Sequence, residues 1–331
     1  MILYVTQQGA YLKRANQRLL IVKERETLQD IPVFKIDQVV LFGNITITPG
    51  ARNLLLEQGI DVSLMSIRGR IKRHLLSGDS KNIYLRLAQY RRWSDLSSRL
   101  RIGRGLLLSK IQTQLDMLAV YQSRHPELEN DFEPLIKSIN GCRCRAEAAD
   151  TVESLRGCEG LASSVYFKGF SRAIRGDYVF TGRRMHPSTD PVNALLSLTY
   201  VCLTNEVGSY IEAKGFETMI GFVHGIKYGR RSLAMDMVEE FRHPVGDRFV
   251  LNLINYRIIQ PDDFEIREKG AYYLKEDVAG RYFAEWEKCR KDAVGDGNPL
   301  DTLIRKQMKR LEHSVMKDRP YPGIWEVESD G

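Results

Sequence analysis

Residues 61–93 read DVSLMSIRGRIKRHLLSGDSKNIYLRLAQYRRW, and the periodicity of the chain changes inside them. Before Ser77, IDVSLMS and GRIKRHLL are short β-prone runs flanking Arg68-Gly69, the pattern of a hairpin. After Ser80 the apolar residues recur at helical spacing. Ser77-Gly78-Asp79-Ser80 is the only small, polar break that coincides with such a change, so it predicts a linker at 77–80. An N-terminal domain then spans 1–76 and a second domain 81–331.

Upstream of the break the turn and period-two signals predict strands. MILYVT is apolar and β-rich, AYLKRANQRLLIVKE reads as a hairpin turning near Ala15-Asn16, and DQVVLFGNITIT is strand-like again. One helical insertion, PGARNLLLEQG, opens on Pro and stops on Gly. Downstream, amphipathic helices are expected over roughly 81–93, 95–122, 130–140, 145–156, 159–174, 190–213, 231–242 and 300–317, with Asp190-Pro191 a well-formed helix start. The tail RPYPGIWEVESDG is expected to fray or drape over the surface. The fold class is therefore α+β: a β-rich, sandwich-like N-terminal domain with one short helix, and an all-α C-terminal domain.

With 331 residues, 43% apolar and 27% charged, the chain can bury a full core and is not broadly disordered. The five-residue apolar run at the start is too short for a secretory signal, and ALLSLTYVCL (194–203) too short for a bilayer, so a cytoplasmic protein without membrane contact is expected. Five scattered cysteines suggest no disulfide framework. Cys142, Cys144 and Cys158 lack the second close pair that a zinc site needs. The net charge is +7. It clusters at Lys81, Arg86, Arg91, Arg92, Arg99, Arg101, Arg104 and Lys110 against the single acid Asp95, with Tyr84, Tyr90 and Trp93 interleaved. Further groups lie at Lys168, Arg172, Arg175, Arg183 and Arg184, and at Arg305, Lys306, Lys309 and Arg310. Three such clusters favour a polyphosphate partner over solvated helix faces.

The chemistry is concentrated at 221–241, GFVHGIKYGRRSLAMDMVEEF. With Ser232 as cap, Leu233, Ala234, Met237, Val238 and Phe241 form an apolar face, while Asp236, Glu239 and Glu240 share one arc on the other side. Three gathered carboxylates need cations, from basic neighbours or from a metal; otherwise they make a solvated acidic face. His224, between an apolar Gly221-Phe222-Val223 and a bend at Gly225, is anchored close by. One imidazole with carboxylates suits Mg²⁺ or Mn²⁺ better than structural zinc. A further acid is required, and Glu159 in CEGLASSVYFKGF, read as opening a helix whose face continues through Ser163, Tyr166 and Phe170, is the best candidate. There is no glycine-rich phosphate loop, Gly103-Arg104-Gly105 being too short, and no nucleophile elbow. Helical spacing alone does not separate Glu239 from Glu240.

Several motifs then resemble a known family. EGLASSVYF (159–167), DPVNALLS (190–197), GFVH (221–224) and GRRSLAMDMVEEFR (229–242), with GAYL (9–12) and VVLFGNITIT (39–48), are similar in order and spacing to the CRISPR-associated endonuclease and integrase of spacer acquisition. The resemblance runs along nearly the whole chain. It implies metal ligation by Glu159, His224 and Glu239, with Asp236 the neighbouring family acid on the same face, where it is expected to orient His224 or a metal-bound water. It implies a homodimer through the N-terminal domain and a complex with the small second adaptation protein. It also implies double-stranded DNA substrates, a captured fragment and the CRISPR repeat, joined by attack of a 3′-hydroxyl on a phosphodiester. Glu239 stands where the family often has Asp, which sets the ion slightly further from that helix. Met185-His186-Pro187 departs from the family's proline-rich run before Asp-Pro. No fused reverse transcriptase or iron–sulfur nuclease is read in these residues. Tyr166 is either a substrate contact or a core residue. Two other readings share the sequence: a general metal-dependent nuclease on branched or single-stranded DNA, and a non-catalytic DNA-binding scaffold.

Overall fold

The computed structural model describes residues 1–66, 71–75, 82–184, 187–267, 270–294 and 297–324. Its strands are β1 (Ile2–Val5), β2 (Tyr11–Ala15), β3 (Arg18–Lys23), β4 (Glu26–Pro32), β5 (Gln38–Phe42), β6 (Thr46–Ile47), β7 (Asp61–Met65), β8 (Ile71–Leu75), β9 (Phe264–Arg267) and β10 (Ala271–Leu274). Its helices are α1 (Pro49–Glu57), α2 (Ile83–Ser94), α3 (Leu96–Arg124), α4 (Glu129–Glu147), α5 (Val152–Arg172), α6 (Pro191–Lys214), α7 (Ser232–Phe241), α8 (Arg248–Asn255), α9 (Glu276–Lys291) and α10 (Leu300–Lys317). They fall into two compact units. One is Met1–Asp79 with Asp263–Glu265 and Tyr273–Cys289, and the other is Ser80–Asp262 with Ile266–Tyr272 and Arg290–Gly331.

In the first unit, two four-stranded sheets, β1-β5-β7-β8 and β4-β3-β2-β6, share one apolar core. Leu3, Val5, Val39, Leu41 and Val62 come from one sheet, Leu12, Leu19 and Ile21 from the other, and Leu54 and Leu55 from α1. The β2–β3 turn falls at Asn16-Gln17, closed by the pair Ala15↔Arg18, and Asn16 takes the left-handed φ of 53° that such a turn needs. Thr48 caps α1 and Pro49 opens it, as the sequence predicts. β7 and β8 pair antiparallel as expected, while their turn at 67–70 and the linker at 77–80 lie outside the described residues. β4 escaped the reading because its first five residues are exposed, so it has no apolar alternation. A second difference concerns 273–289, which the sequence reading kept with the second domain. Phe283 stacks on Tyr4 with ring centroids 4.3 Å apart, and Trp286 Nε1 donates to Tyr4 Oη at 3.0 Å, so α9 up to Cys289 packs within the first unit.

The second unit is largely helical and is organised on α3, which packs against α4, α5 and α7. Asp95, the lone acid of the basic run, caps α3 by accepting from the backbone N–H groups of Ser97 and Ser98. Asp190 and Pro191 start α6 as predicted, and Gly215 ends it at a φ of 98°. Several boundaries differ from expectation. α4 runs unbroken through Gly141 and the cysteines, and the break falls at 148–151, where Thr151 caps α5. Ser232 is the first residue of α7 rather than its cap. After α7 the backbone passes through one π-helical stretch, Arg242–Asp247, into α8. Pro244 cannot donate the N–H that an α-helix requires there, and a π-turn accommodates it.

Arg319 and Pro320 are exposed as expected, but over residues 321–324 the tail is neither frayed nor draped on the surface. Tyr321 and Ile324 are buried; Arg310 Nη1 donates to the carbonyls of Gly323 and Ile324, and Ile324 N donates to Ser109 Oγ at 3.0 Å. A Cβ at Gly105 would sit 2.2 Å from Tyr321 O, so the Gly103-Arg104-Gly105 triplet serves close packing of the tail on α3. Residues 325–331 lie outside those described.

Candidate metal centre

Glu159 lies two turns inside α5, not at its start, so the helix N-terminus is not what favours its charge. It shares a face with the buried Leu155, Ala162 and Tyr166, which turns it toward α3. Gly169 permits that approach, since a Cβ there would meet Leu118 Cδ2 of α3 at 2.4 Å.

The expected acidic face of α7 is not solvated. Asp236, Glu239 and Glu240 are all buried, each with a different task. Asp236 accepts from the N–H groups of Val223 (3.0 Å) and His224 (2.9 Å), and its Oδ1 lies 2.6 Å from His224 Nδ1. Glu240 accepts from Tyr321 Oη at 2.7 Å, and burial pushes its carboxyl up to about 7. Glu239 Oε1 pairs with Arg242 at 2.6 Å.

The His224 segment is held to α7 because Gly221 has no side chain: a Cβ would meet Asp236 Oδ2 and Ser232 O, each at 2.7 Å. Its carbonyls are then pinned by donors. Trp93 Nε1 binds Gly221 O at 3.1 Å, Arg99 Nε binds Phe222 O at 3.2 Å, Arg156 Nε binds Val223 O at 2.7 Å, and Arg230 reaches the carbonyls of His224 and Gly225. Gly225 turns away at a φ of +62°. With Nδ1 fixed on Asp236, Nε2 is the ring nitrogen left for a ligand. Burial disfavours the imidazolium, but the Asp236 hydrogen bond and charge, then Glu239 and Glu159, outweigh it and raise the His224 pKa above 6.5.

The folded chain thus gathers one ligand atom each from Glu159, His224 and Glu239 within 4.8 Å of one another. The set fits an oxygen-preferring divalent ion: two carboxylates and one imidazole that is itself oriented by a carboxylate. Glu240 is turned to Tyr321 and takes no part, so packing separates it from Glu239 where spacing did not. Cys142, Cys144 and Cys158 are free thiols and belong to no metal-binding group among the described residues.

Glu159 and Glu239 line a cavity of about 600 Å³, whose wall also carries Lys168, Arg183, Arg242, Phe167, Phe180 and His243. Two features here, Lys110 and the His243–Asp247 pair, are absent from the sequence expectations, and the core alternative holds for Tyr166. Lys110, assigned to a DNA-tracking surface, is buried with Nζ 2.6 Å from Glu159 Oε1 and 2.8 Å from Glu239 Oε2. Burial pushes its pKa down, yet Glu239 and Glu159 together leave it raised; Arg242 and Lys110 likewise hold the Glu239 carboxyl well below its usual range against burial. His243 is buried, with Nδ1 2.9 Å from Asp247 Oδ2, and Asp247 also accepts from Tyr200 Oη. The only sequence signal for that pair was its i, i+4 spacing. Tyr166 is fully buried against Tyr121 and His243, which makes it a core residue.

The basic clusters are also partly structural. Arg86, Arg92, Arg99 and Arg104 donate to backbone carbonyls, Arg101 pairs with Asp318, and Arg310 is buried. Arg91, Lys168, Arg172, Arg175, Arg184, Lys306 and Lys309 remain exposed. Lys81, Met185 and His186 lie outside the described residues.

With this geometry in hand, comparison with known proteins is decisive. The model of the CRISPR associated protein Cas1 family matches residues 3–288. This chain belongs to the Cas1 family. It is 34% identical to CRISPR-associated endonuclease Cas1 1 of Chlorobaculum tepidum, covering 98% of each chain. It is also 34% identical to CRISPR-associated endonuclease Cas1 1 of Thermus thermophilus, covering 96% of each. Among solved structures, a Cas1 protein from Thermotoga maritima superposes with a TM-score of 0.82 at 22% identity, covering 96% of this chain and 97% of that one. A casposase bound to integration product gives 0.85 at 23% identity, covering 99% and 96%. These place the Cas1 fold over both units. No helix among the described residues is long and apolar enough to cross a membrane.

Proposed function

We propose that this Cas1-family protein is a metal-dependent DNA endonuclease and integrase of the cytoplasm, which inserts captured DNA fragments as new spacers into a CRISPR array. The observation that carries this reading is the convergence of Glu159, His224 and Glu239 beside a cation-lined cavity. The relatives' names as endonucleases support it, as does the shared fold with a casposase bound to integration product. An Mg²⁺ or Mn²⁺ ion held by these three side chains supplies Lewis-acid polarisation of a phosphate and a lowered pKa for an attacking hydroxyl.

The remaining steps belong to the chain's own groups. Asp236 fixes the His224 tautomer and ring direction, so Nε2 presents a lone pair. Arg242, Lys168 and Arg183 line the cavity and balance the phosphates of an entering strand. The attacking group is the 3′-hydroxyl of the captured fragment in integration and water in simple cleavage. Duplex DNA engages the exposed cations. A homodimer through the first unit, and assembly with the small second adaptation protein, complete the machine; this chain shares its fold with 36% of a chain in a Cas6-RT-Cas1–Cas2 complex.

Joining of a labelled fragment with a free 3′-hydroxyl to repeat DNA, with and without Mn²⁺, tests the proposal. Glu159→Gln or Glu239→Gln should lower joining about 1,000-fold, about 4 kcal/mol of barrier, and spare DNA binding. Cut strands without joined product would favour the general nuclease. Full DNA binding with metal-independent behaviour in every variant would favour the scaffold.

A further inference from the structure

The cation in the centre of the ligand cluster is already part of the chain. Lys110 projects from α3, and its Nζ lies between Glu159 of α5 and Glu239 of α7 at 2.6 and 2.8 Å. Its side chain is only 7% exposed. A buried ammonium is costly unless paired, and two carboxylates this close repel each other unless a cation joins them. Each therefore accounts for the other.

A divalent ion cannot simply be added to this arrangement. Glu239 already faces both Lys110 and Arg242. A third cation group would leave the two carboxylates outnumbered by positive charge. Arg242 is held by more than its ion pair, since its guanidinium lies over the Tyr200 ring at 4.7 Å. The Lys110 ammonium contacts only the two carboxylates among the described residues. It ends a flexible four-carbon stem and borders the cavity, so it is the group free to swing.

We propose that Lys110 is the site's resident counter-cation: it occupies the seat between Glu159 and Glu239, holds them together without metal, and must be displaced for a divalent ion to enter. This rests on the metal-centre reading above. Metal affinity is then set partly by an internal competitor, and the released ammonium turns toward the cavity, where a DNA phosphate is its natural partner.

Calorimetric titration of the DNA-free, full-length protein with Mn²⁺ tests this. Lys110→Met keeps the length and removes the charge, and should bind Mn²⁺ at least tenfold more tightly than the wild type; Lys110→Arg should not. Unchanged or weaker binding by a folded Lys110→Met overturns the inference. Glu159→Gln separates the two readings: if the wild type shows no Mn²⁺ binding that this variant loses, the metal centre itself fails and the inference falls with it. Should Lys110→Met not fold, the wild type decides the matter through amine-reactive labelling read by mass spectrometry. Labelling of Lys110 should rise severalfold on adding Mn²⁺, and constant or reduced labelling overturns displacement.

Discussion

Asp236, Glu239 and Glu240 lie within five residues of one another, yet their surroundings assign them three different electrostatic states. Glu239 is held ionised by Arg242 and Lys110 despite burial. Asp236 is a structural acceptor for three N–H groups. Glu240 is buried against Tyr321 and pushed up to about 7 from an ordinary 4.5. A carboxyl raised on folding favours the folded state at low pH and loses that contribution as pH rises through its folded value. Glu240→Gln should therefore gain stability over wild type between about pH 4.5 and about pH 7, by at most about 3 kcal/mol. Thermal melts across that range check it, and a constant difference would refute the placement of Glu240. His224 has the opposite use. Its raised pKa means the proton competes with metal, so apparent Mn²⁺ affinity should climb with pH to a plateau above 6.5. The convergence of Glu159 and His224 with an acid of α7 was expected from residue type and surroundings, while Glu239 was distinguished from Glu240 only through the family motif. Lys110 was not, since a lysine in a basic run carries no mark of burial.

At the scale of elements, Glu159 and His224 are positioned by packing devices that can be removed singly. Thr151 accepts from Ser154 N and starts α5 two turns before Glu159. Thr151→Ala should cost about 1 kcal/mol in chemical denaturation and leave joining activity nearly intact, because the later turns are held by α3 and α4. Gly221→Ala is the contrasting case. The added methyl meets Asp236 Oδ2 and Ser232 O, neither of which can yield without moving His224. Overpacking of this kind costs about 1–3 kcal/mol, and Mn²⁺ affinity should fall with it. Boundaries near the site were the part of the fold hardest to read. The gap expected between 140 and 145 is absent because α4 runs on to Glu147, and the helix expected to end at 242 passes through a π-turn into α8. β4 and α9 were missed for related reasons: one is exposed along most of its length, and the other buries its aromatics in a unit far away in sequence.

For the whole molecule, the +7 charge overstates what is free to meet DNA. Many arginines of the 81–110 run hold backbone carbonyls in place, including those around His224. The logarithm of DNA affinity should fall linearly with that of salt concentration, each phosphate contact contributing about 0.9 to the slope. Charge removal at exposed Lys168 or Arg172 should reduce the slope by about one contact, whereas Arg99→Ala should damage metal binding instead. Equal slopes in all three variants would contradict this division of labour. The strand-then-helix order, the Asp190-Pro191 helix start and the family motifs were determined by the sequence alone, because turn chemistry, caps and periodicity are local properties of consecutive residues. How Glu240 is turned away to Tyr321, where Lys110 goes, which arginines hold backbone carbonyls and where α9 packs were decided only by tertiary structure. Each of these depends on burial and on charges brought together from distant segments, and neither is a property of any single stretch of chain.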